Sequence, residues 1–114
     1  MNLADKKCSD GGSVPPLKTR QARELLKHLG HGWRINRKGH LEKLYTFQDF
    51  SKAQVFANKV GVVAEAEGHH PDVYLAWGKC KLEIWSHKIK GLTESDFVLA
   101  AKAERKFKPV HTPA

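Results

Sequence analysis

Apolar residues recur at helical spacing in three parts of the chain. In residues 19–29 they form one stripe, with Thr19 as a suitable N-cap and Gly30 as a stop. The second part begins near residue 51, and the third extends from Thr93 to about Phe107. These patterns predict three helices, each with one face turned to a core. The positions that define the stripes are Leu25, Leu26, Leu29, Ala53, Phe56, Ala57, Val60, Val63, Ala64, Phe97, Ala100, Ala101 and Ala103.

Four shorter segments read as strands: residues 33–35, 41–47, 73–77 and 80 to about 87. Turn residues at 37–39 and Gly78 predict two antiparallel hairpins. In the last strand, apolar residues at 80, 82 and 84 alternate with residues 81, 83 and 85, so parity places His87 on the face away from the core. The order α-β-β-α-β-β-α predicts an α+β fold, with helices packed on one face of a four-stranded antiparallel sheet.

The start of the central helix has two candidate caps. Ser51 and Gln54 fit a capping box, and Asp49 competes with Ser51 as the first cap. The chain ends differ from the middle in composition, which predicts three parts. Residues 1–15 form a flexible polar tail, residues 16–108 a single domain, and residues 109–114 a C-terminal tail. A chain of 114 residues has room for one core and none for a separate cofactor domain.

Composition excludes several classes of protein. No apolar run approaches the ~18 residues of a membrane span, and the first twelve residues lack the apolar core of a signal peptide. The two cysteines, Cys8 in the tail and Cys80 in a strand, do not suggest a disulfide framework, so we expect a cytoplasmic protein. The net charge of +8 is spread along the chain without a nucleic-acid-binding signature, so a nucleic-acid partner is not expected.

The segment from Glu65 to Pro71 carries the chemistry of interest. His69 and His70 follow Gly68 and precede Pro71, two residues that end helices, so both imidazoles are expected at the end of the central helix. His87 closes a strand, and Asp96 opens the last helix. Imidazoles titrate near physiological pH, so histidines gathered at the ends of elements suit general acid–base catalysis.

Simpler interpretations remain open for these residues. The two histidines could be cations that favour a helix C-terminus, and Asp96 completes a capping box with Thr93 whether or not it takes part in chemistry. A zinc site is a further alternative, because Glu65 and His69 are four residues apart. Gly68 breaks the helix that would align them, and the chain has no HExxH or CxxC motif, so no metal is predicted.

The chain resembles the pterin-4a-carbinolamine dehydratases, also called 4a-hydroxytetrahydrobiopterin dehydratases. The resemblance covers about residues 17–107 and includes stretches 45–50, 86–87 and 91–96. The residues that match in order and spacing are Glu65, His69, His70, Pro71, Trp77, His87 and Asp96, with Trp33 and the Ala53–Phe56 pair upstream.

The resemblance implies dehydration of 4a-hydroxytetrahydropterin to quinonoid dihydropterin, in support of aromatic amino acid hydroxylation, with no cofactor. It makes His69, His70 and His87 the catalytic residues, with His69 first for proton transfer. It also gives the substrate contacts: Glu65 at the polar edge of the pterin, Trp33 packed on the ring, Asp96 holding His87 in one tautomer, and Pro71 beside the histidine pair.

The resemblance also bears on assembly and on a second class of function. It implies a homodimer or homotetramer, and a partner hydroxylase that supplies the substrate. Relatives in animals also serve as dimerisation cofactors of a transcription factor, so a non-catalytic protein-binding module is the alternative function. Leu75 stands where relatives commonly carry asparagine, a departure that leaves the histidine set intact.

Overall fold

A computed structural model describes residues 2–8 and 15–111 of the chain. Its four strands form one antiparallel sheet in the order β1-β2-β4-β3. Three helices complete the order α-β-β-α-β-β-α, so the predicted α+β class and topology are confirmed. The elements are α1 Thr19–Leu26, β1 Arg34–Ile35, β2 Leu41–Thr46, α2 Phe50–Glu67, β3 Asp72–Ala76, β4 Lys79–Ile84 and α3 Glu94–His111.

The core lies between one face of the sheet and helices α2 and α3. Tyr45 of β2 is paired with Cys80 of β4, so their side chains share the inner face, and both are buried. The Tyr45 ring lies 4.5 Å from Phe56 of α2 and 4.7 Å from Phe107 of α3. Aromatic contacts of this kind join both helices to the sheet and so fix where the helix ends lie relative to the strands.

The ends of two helices differ from the sequence prediction. Asp49 rather than Ser51 caps α2, because its extended backbone lets the side chain accept the Lys52 N–H at 2.9 Å. Helix α1 ends at Leu26, three residues before the predicted end, and the chain continues in tighter i to i+3 turns. Leu29 is buried nevertheless, so the apolar stripe reaches beyond the helix that carries it.

Residues 2–8 do not form the flexible tail that the composition predicted. They contain a single 3-10 turn at Leu3–Asp5, and Leu3 and Ala4 are buried. Lys102 of α3 donates to the Ala4 carbonyl at 3.0 Å, and Arg105 pairs with Asp5 at 2.8 Å. The prediction was wrong here because two apolar residues in a polar segment suffice to cover part of α3. Residues 9–14 of the predicted tail lie outside the described residues.

Helix α3 continues to His111, so residues 109–111 are helical rather than part of a C-terminal tail, and residues 112–114 lie outside the described residues. Within residues 2–8 and 15–111, no helix is long and apolar enough to cross a membrane.

Candidate functional site

The C-terminal end of α2 positions the histidine pair. Gly68 adopts the left-handed region, with φ of 64°, and its N–H bonds to the carbonyls of Ala64 and Glu65. The His69 N–H bonds to the Ala64 carbonyl at 3.2 Å. Glycine adopts this backbone conformation without the steric cost that a Cβ adds, so the helix ends sharply and both imidazoles follow directly.

A tight turn after β4 faces the histidine pair. The Ser86 N–H bonds to the Gly91 carbonyl at 2.9 Å, and the Lys90 N–H returns to the Ser86 carbonyl at 2.9 Å. Lys90 has φ of 58°, which is uncommon for a residue with a side chain. The turn presents His87 opposite the end of α2. His87 is exposed, as predicted, but it lies in this turn rather than at the end of a strand, because β4 ends at Ile84.

Between these two segments lies an open cleft of about 240 Å³. All three histidines predicted as catalytic, His69, His70 and His87, line it. Its volume is slightly below the lower end, about 300 Å³, of typical small-molecule pockets, so it suits a compact ligand. The other lining residues are Gly68, Trp85, Ser86, Lys88 and Ile89.

Asp96 holds His69 from below the cleft. Its Oδ1 lies 2.6 Å from His69 Nε2, and Asp96 is fully buried. Its Oδ2 accepts the Thr93 N–H at 2.8 Å and the Ser86 hydroxyl at 2.9 Å. The bond from the Thr93 N–H is half of the predicted capping box, so Asp96 both caps α3 and holds His69. Three donors and the N-terminus of α3 stabilise its negative charge.

This arrangement fixes the tautomer of His69. An ionised carboxylate can only accept hydrogen bonds, so the proton of neutral His69 lies on Nε2. The lone pair is therefore on Nδ1, which is able to take up a proton. The resemblance assigned Asp96 to His87, and the structure corrects this: the partner of Asp96 is His69.

His70 has a carboxylate partner of a different kind. Its Nε2 is hydrogen-bonded to Glu65, one turn back on α2. Both side chains are exposed, to 58% for His70 and 78% for Glu65. Water screens this pair, so its contribution to the orientation of His70 is small.

Two other predicted contacts do not line the cleft. Trp33 is buried in the core, where its indole N–H donates to Glu104 of α3 at 3.1 Å. A buried indole needs an acceptor, and Glu104 supplies one, while the contact of Trp33 with the pterin ring stays a prediction. Pro71 is half-buried and joins the histidine pair to β3. Leu75 is opposite Cys80 on edge strand β3, also outside the cleft lining.

Sequence reasoning missed Trp85 and Ser86 as parts of the site. Trp85 lines the cleft and its ring lies 4.2 Å from that of His87. The signal was present in the sequence, because residues 85 and 87 have the same parity along the strand that was predicted to extend to residue 87. Ser86 is buried and bonds to Asp96, a contact that only the three-dimensional structure reveals.

Neither cysteine offers a reactive thiolate. Cys8 and Cys80 are both free. Burial raises the pKa of Cys80 to about 11, and burial together with nearby Glu67 raises the pKa of Cys8 to about 12. Both therefore remain protonated at neutral pH, and Cys80 packs in the core as a small hydrophobic residue.

The donor set of the cleft does not resemble a metal centre. Across residues 2–8 and 15–111, no group of three or more histidine, cysteine, aspartate or glutamate side chains is arranged to hold an ion. His69 and Glu65, the proposed i, i+4 ligand pair, turn to different partners, Asp96 and His70.

Comparison with known proteins places these residues in a family. The family described as Pterin 4 alpha carbinolamine dehydratase matches residues 15–106. A Rickettsia canadensis protein named "Putative pterin-4-alpha-carbinolamine dehydratase" is 51% identical over 105 residues, covering 91% of this chain and 96% of its own. A protein of the same name from Rickettsia bellii is 52% identical over 104 residues, covering 90% and 92%.

Two solved structures share the fold. One, a transcriptional coactivator/pterin dehydratase from Brucella melitensis, has a TM-score of 0.75 and 27% identity, covering 80% of this chain and 97% of its own. The other, a pterin dehydratase-like RuBisCO assembly factor of the alpha-carboxysome, has a TM-score of 0.60 and 19% identity, covering 68% and 92%, which shows the fold alone. The family match and the curated relatives together establish that this chain belongs to the pterin-4-alpha-carbinolamine dehydratase family.

Proposed function

We propose that this chain dehydrates 4a-hydroxytetrahydropterin to quinonoid dihydropterin by general acid–base catalysis. The observation that carries the proposal is the cleft with three imidazoles, one of them held by a buried carboxylate. Family membership gives the substrate class, and the site chemistry suits it. The reaction would regenerate pterin for an aromatic amino acid hydroxylase in the cytoplasm, a compartment in which two free cysteines are expected.

The reaction needs two proton transfers. The C4a–O bond breaks as an acid protonates the departing hydroxyl, which leaves as water. A base removes the N5 proton, and the electrons of the N5–H bond form the new C4a=N5 double bond. Imidazoles with pKa values near neutral perform both tasks at physiological pH.

His69 is the first choice for proton transfer, because Asp96 fixes its tautomer and stabilises the imidazolium that forms. His70 and His87 line the same cleft and would orient the ring and share the proton traffic. Glu65 would reach the polar edge of the pterin from the exposed rim.

The direct test is dehydration of synthetic 4a-hydroxytetrahydropterin by purified protein, followed by stopped-flow absorbance. We expect turnover well above the spontaneous rate in the wild type and in His31→Ala, because His31 is exposed and is not among the cleft residues. Wild-type turnover no faster than buffer would contradict the proposal.

A second assay addresses cofactors. Because the proposed steps are proton transfers by side chains, exhaustive dialysis against a strong chelator should leave turnover unchanged. Loss of activity that one equivalent of zinc restores would favour the metal alternative.

The second candidate function is a protein-binding or dimerisation module. Edge strand β3 carries a group of exposed apolar residues that could meet a partner: Val73, Tyr74, Leu75 and, in the following turn, Trp77. The Brucella neighbour is described as a transcriptional coactivator as well as a dehydratase. An exposed apolar edge strand favours pairing with another chain.

Light scattering at micromolar concentration tests this surface. We expect a homodimer or homotetramer that persists in about 0.5 M salt, where the Debye length is only a few Å. Replacement of Val73 by lysine should weaken it, because a charge on an edge strand opposes pairing. A monomer with full activity would contradict assembly through this edge.

A further inference from the structure

His87 differs from the other two histidines in how it is held. His69 and His70 each have a carboxylate partner. Within the described ranges 2–8 and 15–111, His87 makes no hydrogen bond or ion pair with another side chain, and it is exposed. Its ring instead lies against the indole of Trp85, with 4.2 Å between the ring centroids and 31° between the planes.

Trp85 also contacts a second imidazole. The imidazole of His40 stacks on it, with centroids 3.8 Å apart and planes within 4°. His40 is the last residue of the turn between β1 and β2, so it comes from a different hairpin. A near-parallel ring contact across two hairpins restricts rotation of the half-buried indole.

His40 is anchored by Glu83. Their Nδ1 and Oε2 atoms are 2.6 Å apart, and the side chains are only 16% and 7% exposed. Asn36, in the same turn as His40, donates to the same Oε2 at 3.1 Å. Glu83 is two residues before Trp85 in the chain, so anchor and indole extend from neighbouring positions on one side of the chain.

We propose that Glu83, His40 and Trp85 form a positioning chain that holds the His87 imidazole in the cleft. The buried carboxylate fixes His40, the His40 ring fixes the indole, and the indole fixes His87. His69 and His70 are oriented by hydrogen bonds, whereas His87 is oriented by ring contact. The inference rests on the proposed function only in so far as His87 acts on the substrate; the placement of its ring is independent of that.

The first experiment measures placement without activity. In NMR spectra of protein labelled in its histidine side chains, the Trp85 ring current should displace the ring-proton resonances of His87 from those of exposed His31. Trp85→Leu should move them to the His31 position, and Trp85→Phe should retain part of the displacement. The matched control is Trp77→Leu, which removes an indole that is 71% exposed in the turn between β3 and β4 and should leave them unchanged.

The second experiment asks whether placement matters for turnover. His40→Ala removes the ring that stacks on Trp85 without altering a cleft-lining residue. We expect kcat to fall about 10-fold with little change in KM, because misplacement of a reacting group by about 1 Å can cost as much as about 10²-fold and the loss of one ring contact should displace His87 by less than that. Glu83→Gln, which keeps a hydrogen-bonding group, should fall less.

The outcomes separate the two proposals. Unchanged His87 resonances in Trp85→Leu would overturn the positioning chain, whatever the activity. If the wild type is active, an unchanged kcat together with unchanged His87 resonances in His40→Ala would also overturn it, because His40 would then hold neither the ring nor anything that the reaction uses. Displaced resonances in a wild type without dehydratase activity would instead overturn the proposed function and leave the placement of His87 intact.

Discussion

His69 and His70 are adjacent in the chain, and each bonds to a carboxylate through Nε2, yet their surroundings are opposite. The side chains of His69 and Asp96 are 13% and 0% exposed, whereas those of His70 and Glu65 are 58% and 78% exposed. The effective dielectric is lower around the first pair, so its attraction is stronger, while water and salt weaken the second.

The difference originates in the elements that supply the carboxylates. Glu65 extends from the exposed side of the helix that precedes the histidines. Asp96 belongs to α3, which packs against α2, and it is already fixed as the cap of its own helix. The same chemical pair is therefore preorganised in one place and loosely held in the other, and on this difference we propose His69 as the proton-transfer group and His70 as an accessory one.

The largest effect is expected from the two histidines themselves. His69→Ala should lower the dehydration rate by about 10²–10⁴-fold, the range of one general acid–base group, and His70→Ala at least about 10-fold less than that. Steady-state kinetics measure both, with far-UV circular dichroism as the control for folding. Equal losses in the two variants would remove the distinction drawn between the pairs.

The next effect concerns the buried partner. Asp96→Asn should lower kcat by about 10²-fold, because an amide can donate to Nε2 and stabilise the wrong tautomer of His69. The loss of charge-assisted bonds to Ser86 and Thr93 should also lower the free energy of unfolding by about 1–2 kcal/mol in urea denaturation. If Asp96→Asn is destabilised but keeps the wild-type kcat, Asp96 acts as a helix cap and has no part in the reaction.

A third histidine–carboxylate pair, His40–Glu83, extends the comparison to pH. Burial raises the pKa of Glu83, but hydrogen bonds from His40 and Asn36 outweigh burial and bring it below its usual value. A carboxyl whose pKa is lower in the folded than in the unfolded protein stabilises the fold at pH values above its unfolded pKa, which is about 4.3 for glutamate. This stabilisation is lost as the pH falls through the folded pKa.

Unfolding measured between pH 7 and pH 3 should therefore show less acid destabilisation in Glu83→Gln than in the wild type. Glu42 and Glu67 also have lowered pKa values, the first mainly through hydrogen bonds from Asn36 and Arg34 and the second mainly through that of the Cys8 N–H. They remain in both proteins, so the difference reports on Glu83 together with Asn36, the donor that Glu83 shares with Glu42. Parallel pH profiles would contradict the assignment.

The smallest effect is expected at the exposed partner. Glu65→Gln should change kcat by no more than about 3-fold and the free energy of unfolding by about 0.5 kcal/mol or less, because water screens the pair. The same assays apply, and a loss as large as that of Asp96→Asn would show that exposure is a poor guide to the role of a carboxylate in this cleft.

Local patterns were sufficient to predict the elements and their order. Gly68 and Pro71 bound the histidine segment, and the alternation that continues beyond β4 predicted an outward His87, because these features depend on a few neighbouring residues. The pairing of Asp96 with His69 rather than His87 depends on how α2 packs against α3, and spacing along the chain does not encode that.

The features that the sequence did not reveal have the same origin. The indole N–H of Trp33 bonds to Glu104, 71 residues away, within the core. The segment of residues 2–8 is polar on average, yet it packs on α3 through buried Leu3 and Ala4 and through bonds from Lys102 and Arg105. In both cases a distant partner, absent from any local window, decides where the side chain lies.

Asp96 has two separate reasons to be retained over evolutionary time, since it caps α3 and holds His69. A descendant of this fold with a binding role alone would still need the cap. His69 and His70 cap no helix with their side chains, so we expect them to change first in such a descendant. When members of the family are sorted into enzymes and binding modules, the histidines are therefore the positions to compare, and an aspartate at this place says little about activity.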